Sequence, residues 1–301
     1  MSSYPLGAPG AKCAASGCRC WSRTGRYPSD LTDAQWTVLE PVARQLMTAI
    51  RRADGRPMDH DLRAMLDAVG YVVRNGIEWR ALPVDFPPWT AVYAFFQRWS
   101  QRQLPQQLSH RLRDRLRSIQ DRPVAPTVAI IDAQSVKAAE WAHPDTRGYD
   151  GHKKISGRKR HLAVDVNGFL LAVAVTAANL GDRYGAKLLT IALLNTGLRL
   201  QTILADTGYD GWTLKWFFYS TAGIVLRATT RGTKNSFTAS PRRWVVERTF
   251  AWLMRHRRLA RDYERRPEHH EAMIWWTTVA IMTRRIARHD QPTPRWTPRT
   301  T

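Results

Sequence analysis

Two aspartates, each closing a short continuous apolar run, constrain the fold of this chain more than any other feature. Val128-Ala-Ile-Ile131 runs into Asp132, and Thr202-Ile-Leu-Ala205 runs into Asp206. Short apolar runs without alternation are the pattern of strands covered on both faces. Between them, the stretches 161–166 and 169–176 flank Asn167-Gly168, the pair that favours a two-residue type I′ turn, so a hairpin is expected. Helical spacing returns over 185–194 and 212–219, and 224–229 reads as another strand. One long helix is expected from Pro241 to about Asp262, and a last one from about Pro267 to Arg288. The order is therefore strand, hairpin of two strands, helix, strand, helix, strand, helix.

Upstream, the pattern is helical. Thr32 and Gln35 have the spacing of a capping box, and Trp36, Leu39, Ala43 and Leu46 follow at helical intervals. A second helix carries Leu62, Leu66, Val69 and Val73 and stops at Asn75-Gly76. After Pro87-Pro88 a third carries Trp89, Tyr93, Phe96 and Trp99, read as a core stripe rather than a base-stacking surface. A fourth has Leu108, Leu112, Leu116 and Ile119 inward, with Arg111, Arg113, Arg115 and Arg117 expected outside. Helices first, then three strands that can meander antiparallel, then alternating helices and strands, predict an α/β chain. Its small all-helical amino-terminal domain would precede a ribonuclease-H-like mixed sheet with helices on both faces. The expected boundaries are a loose tail over 1–26, a helical domain over 27–104, a connecting helix and linker over 105–125, a catalytic domain over 126–288 and a frayed end over 289–301.

Charge narrows the partners. Lys and Arg number 46 against 25 Asp and Glu, a formal net charge of +21, and such self-repulsion is relieved by a polyanion. Nucleic acid, a ribosomal partner and an anionic membrane all fit that charge. Only 8 of the 46 are Lys, and Arg is the better fork for phosphate, although a GC-rich coding sequence would give the same bias. Cys13, Cys18 and Cys20 are the only cysteines, without metal-site spacing, so no zinc site is expected and a reducing cytoplasm fits the remainder. The longest apolar stretch, Ala272 to Met282, is too short to span a bilayer, and nothing reads as a signal peptide.

The chemistry rests on carboxylates. Two of them at neighbouring strand ends repel unless a cation sits between, and Mg²⁺ or Mn²⁺ prefers such oxygen ligands. Taken singly, a strand-end Asp is also a common turn former. A third carboxylate, Glu247, borders the apolar stripe of Val246, Phe250 and Leu253, one turn after Arg243. An ion pair between Glu247 and Arg243 is the plainer alternative. Asp165 is expected to face outward, Asp182 to cap a helix or order the site, and Asp210 to cap the following helix. No P-loop or Ser-His-Asp order is visible.

Several stretches carry a resemblance to a known family. They are Tyr27-Pro-Ser-Asp-Leu-Thr-Asp33 with Trp36, Asn75-Gly-Ile-Glu-Trp-Arg-Ala-Leu-Pro83, Phe86-Pro-Pro-Trp-Thr90, Ile131-Asp-Ala-Gln-Ser-Val-Lys137, Ala205-Asp-Thr-Gly-Tyr-Asp210 and Trp244-Val-Val-Glu-Arg-Thr-Phe250. Together, over about 27–285, they resemble the DDE transposases of the insertion-sequence five group. The resemblance implies that Asp132, Asp206 and Glu247 are catalytic and hold two Mg²⁺ or Mn²⁺ ions. It implies cleavage at the ends of an insertion sequence and joining of the freed 3′-hydroxyls to target DNA. Its partners would be double-stranded DNA, at element ends and target, and further copies of the chain on DNA; its place would be the cytoplasm and nucleoid. The family's Tyr seven residues before the Glu and Lys or Arg seven after are here Ser240 and Met254, with Arg255 or Arg258 as possible substitutes for the cation. A decayed or domesticated DNA-binding copy is thus the alternative, and an RNA-directed nuclease a third. Candidate DNA contacts are Lys153, Lys154, Arg158, Lys159 and Arg160 in the basic stretch 152–161, with Arg243, Arg248, Arg255 and Arg258 around Glu247.

Overall fold

The computed structural model describes residues 25–50, 58–229 and 244–290. Cys13, Cys18, Cys20, Ser240 and Arg243 lie outside them. Helices α1 (Asp33–Ile50), α2 (Leu62–Asn75), α3 (Trp89–Gln101) and α4 (Leu104–Ile119) precede the sheet. The capping box of α1 is reciprocal: the Gln35 amide donates to Thr32 Oγ1 at 3.2 Å and the Thr32 amide to Gln35 Oε1 at 3.4 Å. Helix α2 ends at Gly76, whose φ of 71° suits glycine. A Cβ there would also meet Arg257 at 2.9 Å, so Gly76 lets the amino-terminal region close on the later chain.

The sheet holds β1 (Val128–Lys137), β2 (Gly148–Asp150), β3 (Ile155–Val164), β4 (Leu170–Ala177), β5 (Thr202–Asp206) and β6 (Val225–Thr229). Strand β3 lies antiparallel between β1 and β4, with β2 beside its first residues. Strand β5 is parallel to both β1 and β6. This is the mixed ribonuclease-H-like sheet. Helix α5 (Asp182–Leu194) and α6 (Trp212–Ala222) cover one face, sharing a core with Ile131, Ala163 and Ile203. Helices α7 (Trp244–Met254), α8 (Arg257–Ala260) and α9 (Pro267–Asp290) cover the other.

That second core is continuous with the amino-terminal helices: Leu39, Val69, Phe96 and Leu112 belong to the same buried cluster as Ile130, Val246 and Ile286. Helix α9 is the shared wall. Trp276 stacks on Trp99 at 5.4 Å, and Ser109 Oγ meets Thr278 Oγ1 at 2.9 Å. No described helix is long and apolar enough to cross a membrane.

Several expectations are corrected. Strand β1 does not end at Asp132 but runs on to Lys137, because β3 keeps pairing with it as far as Lys137↔Gly157. Only Gly168 of the hairpin loop has positive φ, at 82°, so the type I′ turn is not formed. The Gly168 amide donates to the Asp165 carbonyl at 2.9 Å, giving a longer loop whose glycine takes the left-handed position. The expected single helix from Pro241 breaks after Met254 into α7 and α8. Arg113 and Arg117 are buried, not outward: residues two apart on a helix fall on opposite sides, so the four arginines of α4 never shared one face. Arg117 forms an ion pair with Asp165, which is likewise fully buried rather than outward.

On α9, Glu271 accepts the Val175 amide of edge strand β4 at 2.8 Å, and burial pushes its carboxyl up to about 7. Folded protein therefore keeps a proton that the unfolded chain has released between about pH 4.5 and 7, and stability falls as pH rises through that window. Glu271→Gln should leave stability at pH 4 unchanged and raise it above pH 7 by about 1–3 kcal/mol, read from urea unfolding at both pH values.

Candidate active site

The two aspartates are brought together by strand register. Val128, Ala129 and Ile130 pair with Thr202, Ile203 and Leu204. Two residues further on, just past the last paired positions, Asp132 and Asp206 occupy corresponding places on the two strands. Side chains two apart share a face, so both follow Ile130 and Leu204 toward the α7 side. They stand where β1 stops pairing with β5, at the carboxyl end of the parallel strands, the usual crevice of such sheets. Asp132 Oδ1 accepts the Ala133 amide at 2.8 Å; Asp206 Oδ1 accepts the Thr207 amide at 2.5 Å and the Thr207 hydroxyl at 3.0 Å.

Helix α7 lies over this face. Val245, Val246, Phe250 and Leu253 are buried beneath it, while Glu247 is exposed on its first turn. Among the described residues, no three acidic, histidine or cysteine side chains lie close enough together to hold a metal ion as they stand. Register thus sets Asp132 and Asp206 at matching positions, and Glu247 stands on the helix that packs against the same face. The carboxylate set still suits a hard, oxygen-seeking cation in its chemistry.

Tyr209 is a residue that sequence reasoning quoted in a motif but gave no role. It is buried in the turn after Asp206, and burial, reinforced by Asp132, Asp182 and Asp206, pushes its phenol upward, so it stays protonated. The signal lay in its place three residues after a strand-end Asp. Behind the pair, Lys159 bridges Asp182 at 2.9 Å and Asp150 at 3.7 Å. Asp182 is therefore an ion-pair partner rather than the cap of α5, whose cap is Gly181. Asp210 accepts the Gly211 amide at 3.0 Å and pairs with Lys215, while Gly211 caps α6. His161, held neutral by burial with its pKa lowered to about 4, meets Thr176 Oγ1 at 3.0 Å.

The basic stretch 152–161 divides in two. Lys153 and Lys154 are exposed in the turn before β3. Arg158 and Arg160 are fully buried, which removes them as phosphate contacts. Arg158 pairs with Asp262 at 2.8 Å and donates to the carbonyls of Thr146, Glu264 and Arg265. Arg160 donates to Gln134, to the Leu259 carbonyl at 3.0 Å and to Met254 Sδ at 2.9 Å. A guanidinium from the sheet thus sits beside the position where the family's helix carries its own cation. Arg258, the other suggested substitute, is buried against Glu264 at 2.8 Å. Arg248 is sandwiched between Trp244 and Trp252 at 4.3 and 4.7 Å and donates to the Asn167 carbonyl, clamping α7 to the hairpin loop. Arg255 is exposed.

Comparison with known proteins decides the family. A family model described as "Transposase DDE domain" matches residues 124–283, more than half of the chain, and one described as "Putative transposase of IS4/5 family" matches residues 31–109. The chain belongs to the IS4/5 family of DDE transposases. It is also 32% identical, over 163 residues, to the "Putative transposase for insertion sequence element IS402" of Burkholderia cepacia, a match covering 52% of this chain and 77% of that relative. In this transposase the matched DDE segment begins just before β1 and ends within α9, so it includes the strands and helix that carry Asp132, Asp206 and Glu247.

The packing behind Asp132 is tight enough to test. His161 pairs with Ala133 across β1 and β3, and a Cβ added at Gly185 of α5 would fall 2.1 Å from its ring. Gly185→Ala should displace the imidazole, cost about 1–3 kcal/mol in urea unfolding, and lower activity through a shift of β1.

Proposed function

We propose that this transposase cuts DNA at the ends of its insertion sequence and joins the 3′-hydroxyls to target DNA, with Asp132, Asp206 and Glu247 as the catalytic carboxylates. The observation that carries the reading is the register match of Asp132 and Asp206 beneath the helix that bears Glu247. These three side chains would hold two divalent cations, Mg²⁺ or Mn²⁺. Bound there, such ions supply an activated attacking oxygen and stabilise the leaving oxygen at phosphorus. The Asp132 and Asp206 carboxylates are pre-oriented by backbone amides, so they need little rearrangement to grip a cation. Glu247, exposed on the first turn of α7, would complete the set from the helix above. Buried and protonated, Tyr209 adds a neutral hydroxyl beside the aspartates without adding a fourth negative charge.

Phosphate contacts are assigned to the exposed Lys153, Lys154 and Arg255, with Arg248 contributing from its aromatic sandwich and Lys159 ordering Asp182 behind them. Arg243, outside the described residues, stays a candidate. The amino-terminal helices over 27–104 would read the element's ends, with 105–125 linking them to the catalytic region. Pairing two ends requires at least two copies of the chain on DNA.

The alternative, a copy that binds DNA without cutting it, draws on Met254, which stands where the family's helix carries a cation. One experiment separates the two. Asp132→Asn, Asp206→Asn and Glu247→Gln should each lower Mg²⁺-dependent nicking of DNA carrying the element's ends by at least about a hundredfold, because metal ions supply several kcal/mol. DNA affinity should persist. Wild-type protein that binds these ends yet never nicks them with Mg²⁺ or Mn²⁺ would establish the alternative.

A further inference from the structure

The stretch Glu78-Trp79-Arg80 has no part in the chemistry above, yet it forms one wall of a cleft of about 1270 Å³. The cleft lies between the amino-terminal helices and the catalytic region. Trp89 and Tyr93 of α3 continue the first wall, and Trp141 stands opposite, beyond the end of β1. The connection from α8 to α9 closes the cleft on its third side with Tyr263, Arg265 and Arg266.

Three features distinguish this cleft from a packing gap. First, its aromatic rings are presented and held. Trp141 is 60% exposed, yet its indole donates to the Tyr263 carbonyl at 2.8 Å, which fixes the ring plane. Arg80 lies over Trp89 at 5.5 Å, a guanidinium stacked on an indole. Second, the Trp79 indole joins this lining, its ring edge-on to Tyr93 at 5.3 Å. Third, the charges are mixed. Arg258 neutralises Glu264 at 2.8 Å, leaving Arg80, Arg265 and Arg266 beside Glu78 and Glu268. A surface that only tracked duplex phosphates would not carry those carboxylates. A whole unpaired nucleotide uses everything present: base faces for the rings, amino groups for the carboxylates, and phosphate for the arginines.

The placement also suits DNA already held at the aspartates. From Asp132 to Lys137 strand β1 extends about 17 Å at ~3.3 Å per residue. The Ala139 amide then donates to the Asp262 carbonyl, and the chain reaches Trp141. The wall is rigid, because buried Arg158 ties Thr146 and the Arg265 carbonyl to β3.

We propose that this cleft binds an unpaired nucleotide of the DNA on which the transposase acts, stacking the base among Trp141, Trp89 and Tyr93. This rests on DNA being the substrate but not on the identity of the catalytic carboxylates. The test is anisotropy binding of the full chain to a short fully paired duplex and to the same duplex with a few unpaired nucleotides at one end. The forked DNA should bind about tenfold more tightly, in keeping with one or two stacked bases. Trp141→Ala should abolish that preference and leave paired-duplex affinity within about twofold, whereas Trp141→Phe, which keeps a ring, should retain it. Equal affinity for the two DNAs, or an equal loss on both with Trp141→Ala, would overturn the proposal. Fork preference without any Mg²⁺-dependent nicking would uphold the cleft and sink only the catalytic reading; no binding to either DNA would end both.

Discussion

The architecture depends on a guanidinium with no exposed surface. Arg158 sits in strand β3, pairs with buried Asp262 and donates to three carbonyls on two other segments. Breaking one partner of such a pair strands a buried charge, which costs about 3–5 kcal/mol. The connection between α8 and α9 cannot leave the sheet while that pair stands. Burial alone would raise the Asp262 carboxyl, but His270 and Arg158 outweigh it and hold it near 2, so the pair stays ionised across the physiological range.

From that anchor the position of the active-site helix follows. Arg160, two residues on, reaches the Leu259 carbonyl in α8 and the sulfur of Met254 at the end of α7. Arg258 in α8 reaches back to the Ile77 carbonyl, and Gly76 permits the close approach to Arg257. The helix bearing Glu247 is thus fastened at its carboxyl end to the sheet and, through α8, to the amino-terminal helices. Its other end is clamped to the hairpin by Arg248. A shared core along α9 makes the helical region a supporting wall of the catalytic face rather than a separate body. The same arrangement leaves the cleft lined by Trp79 and Trp141 between them.

Legibility in the sequence followed local physics. Capping at Thr32 and Gln35, the stop at Gly76, the apolar stripes of α1, α2 and α4, and the end of β5 at Asp206 all depend on neighbours within a few residues, and match the structure, whereas the end of β1 depends on its pairing with β3 and lies beyond Asp132. The aromatic stripe of α3 split: Phe96 and Trp99 are core, while Trp89 and Tyr93 are half-buried on the cleft. Side-chain destinations were misread wherever a distant partner intervened. Arg113, Arg117, Arg158, Arg160 and Arg258 look like solvated charge in one dimension, yet a guanidinium turns inward when carbonyls, a carboxylate or a sulfur await it. The break after Met254 and the form of the hairpin loop were likewise settled by what those segments pack against.

The sequence by itself determined the helices that come first, the main strands that follow them and the alternation of helix and strand after those, and it singled out the three carboxylates proposed for the chemistry. Periodicity, turn residues and motif spacing are written in neighbouring positions. Tertiary structure alone decided which of the many arginines face solvent, how β1 aligns with β5, and which face of the sheet the helix of Glu247 covers. Those depend on register and on buried partners a hundred residues away, where satisfying a desolvated charge outweighs any local preference.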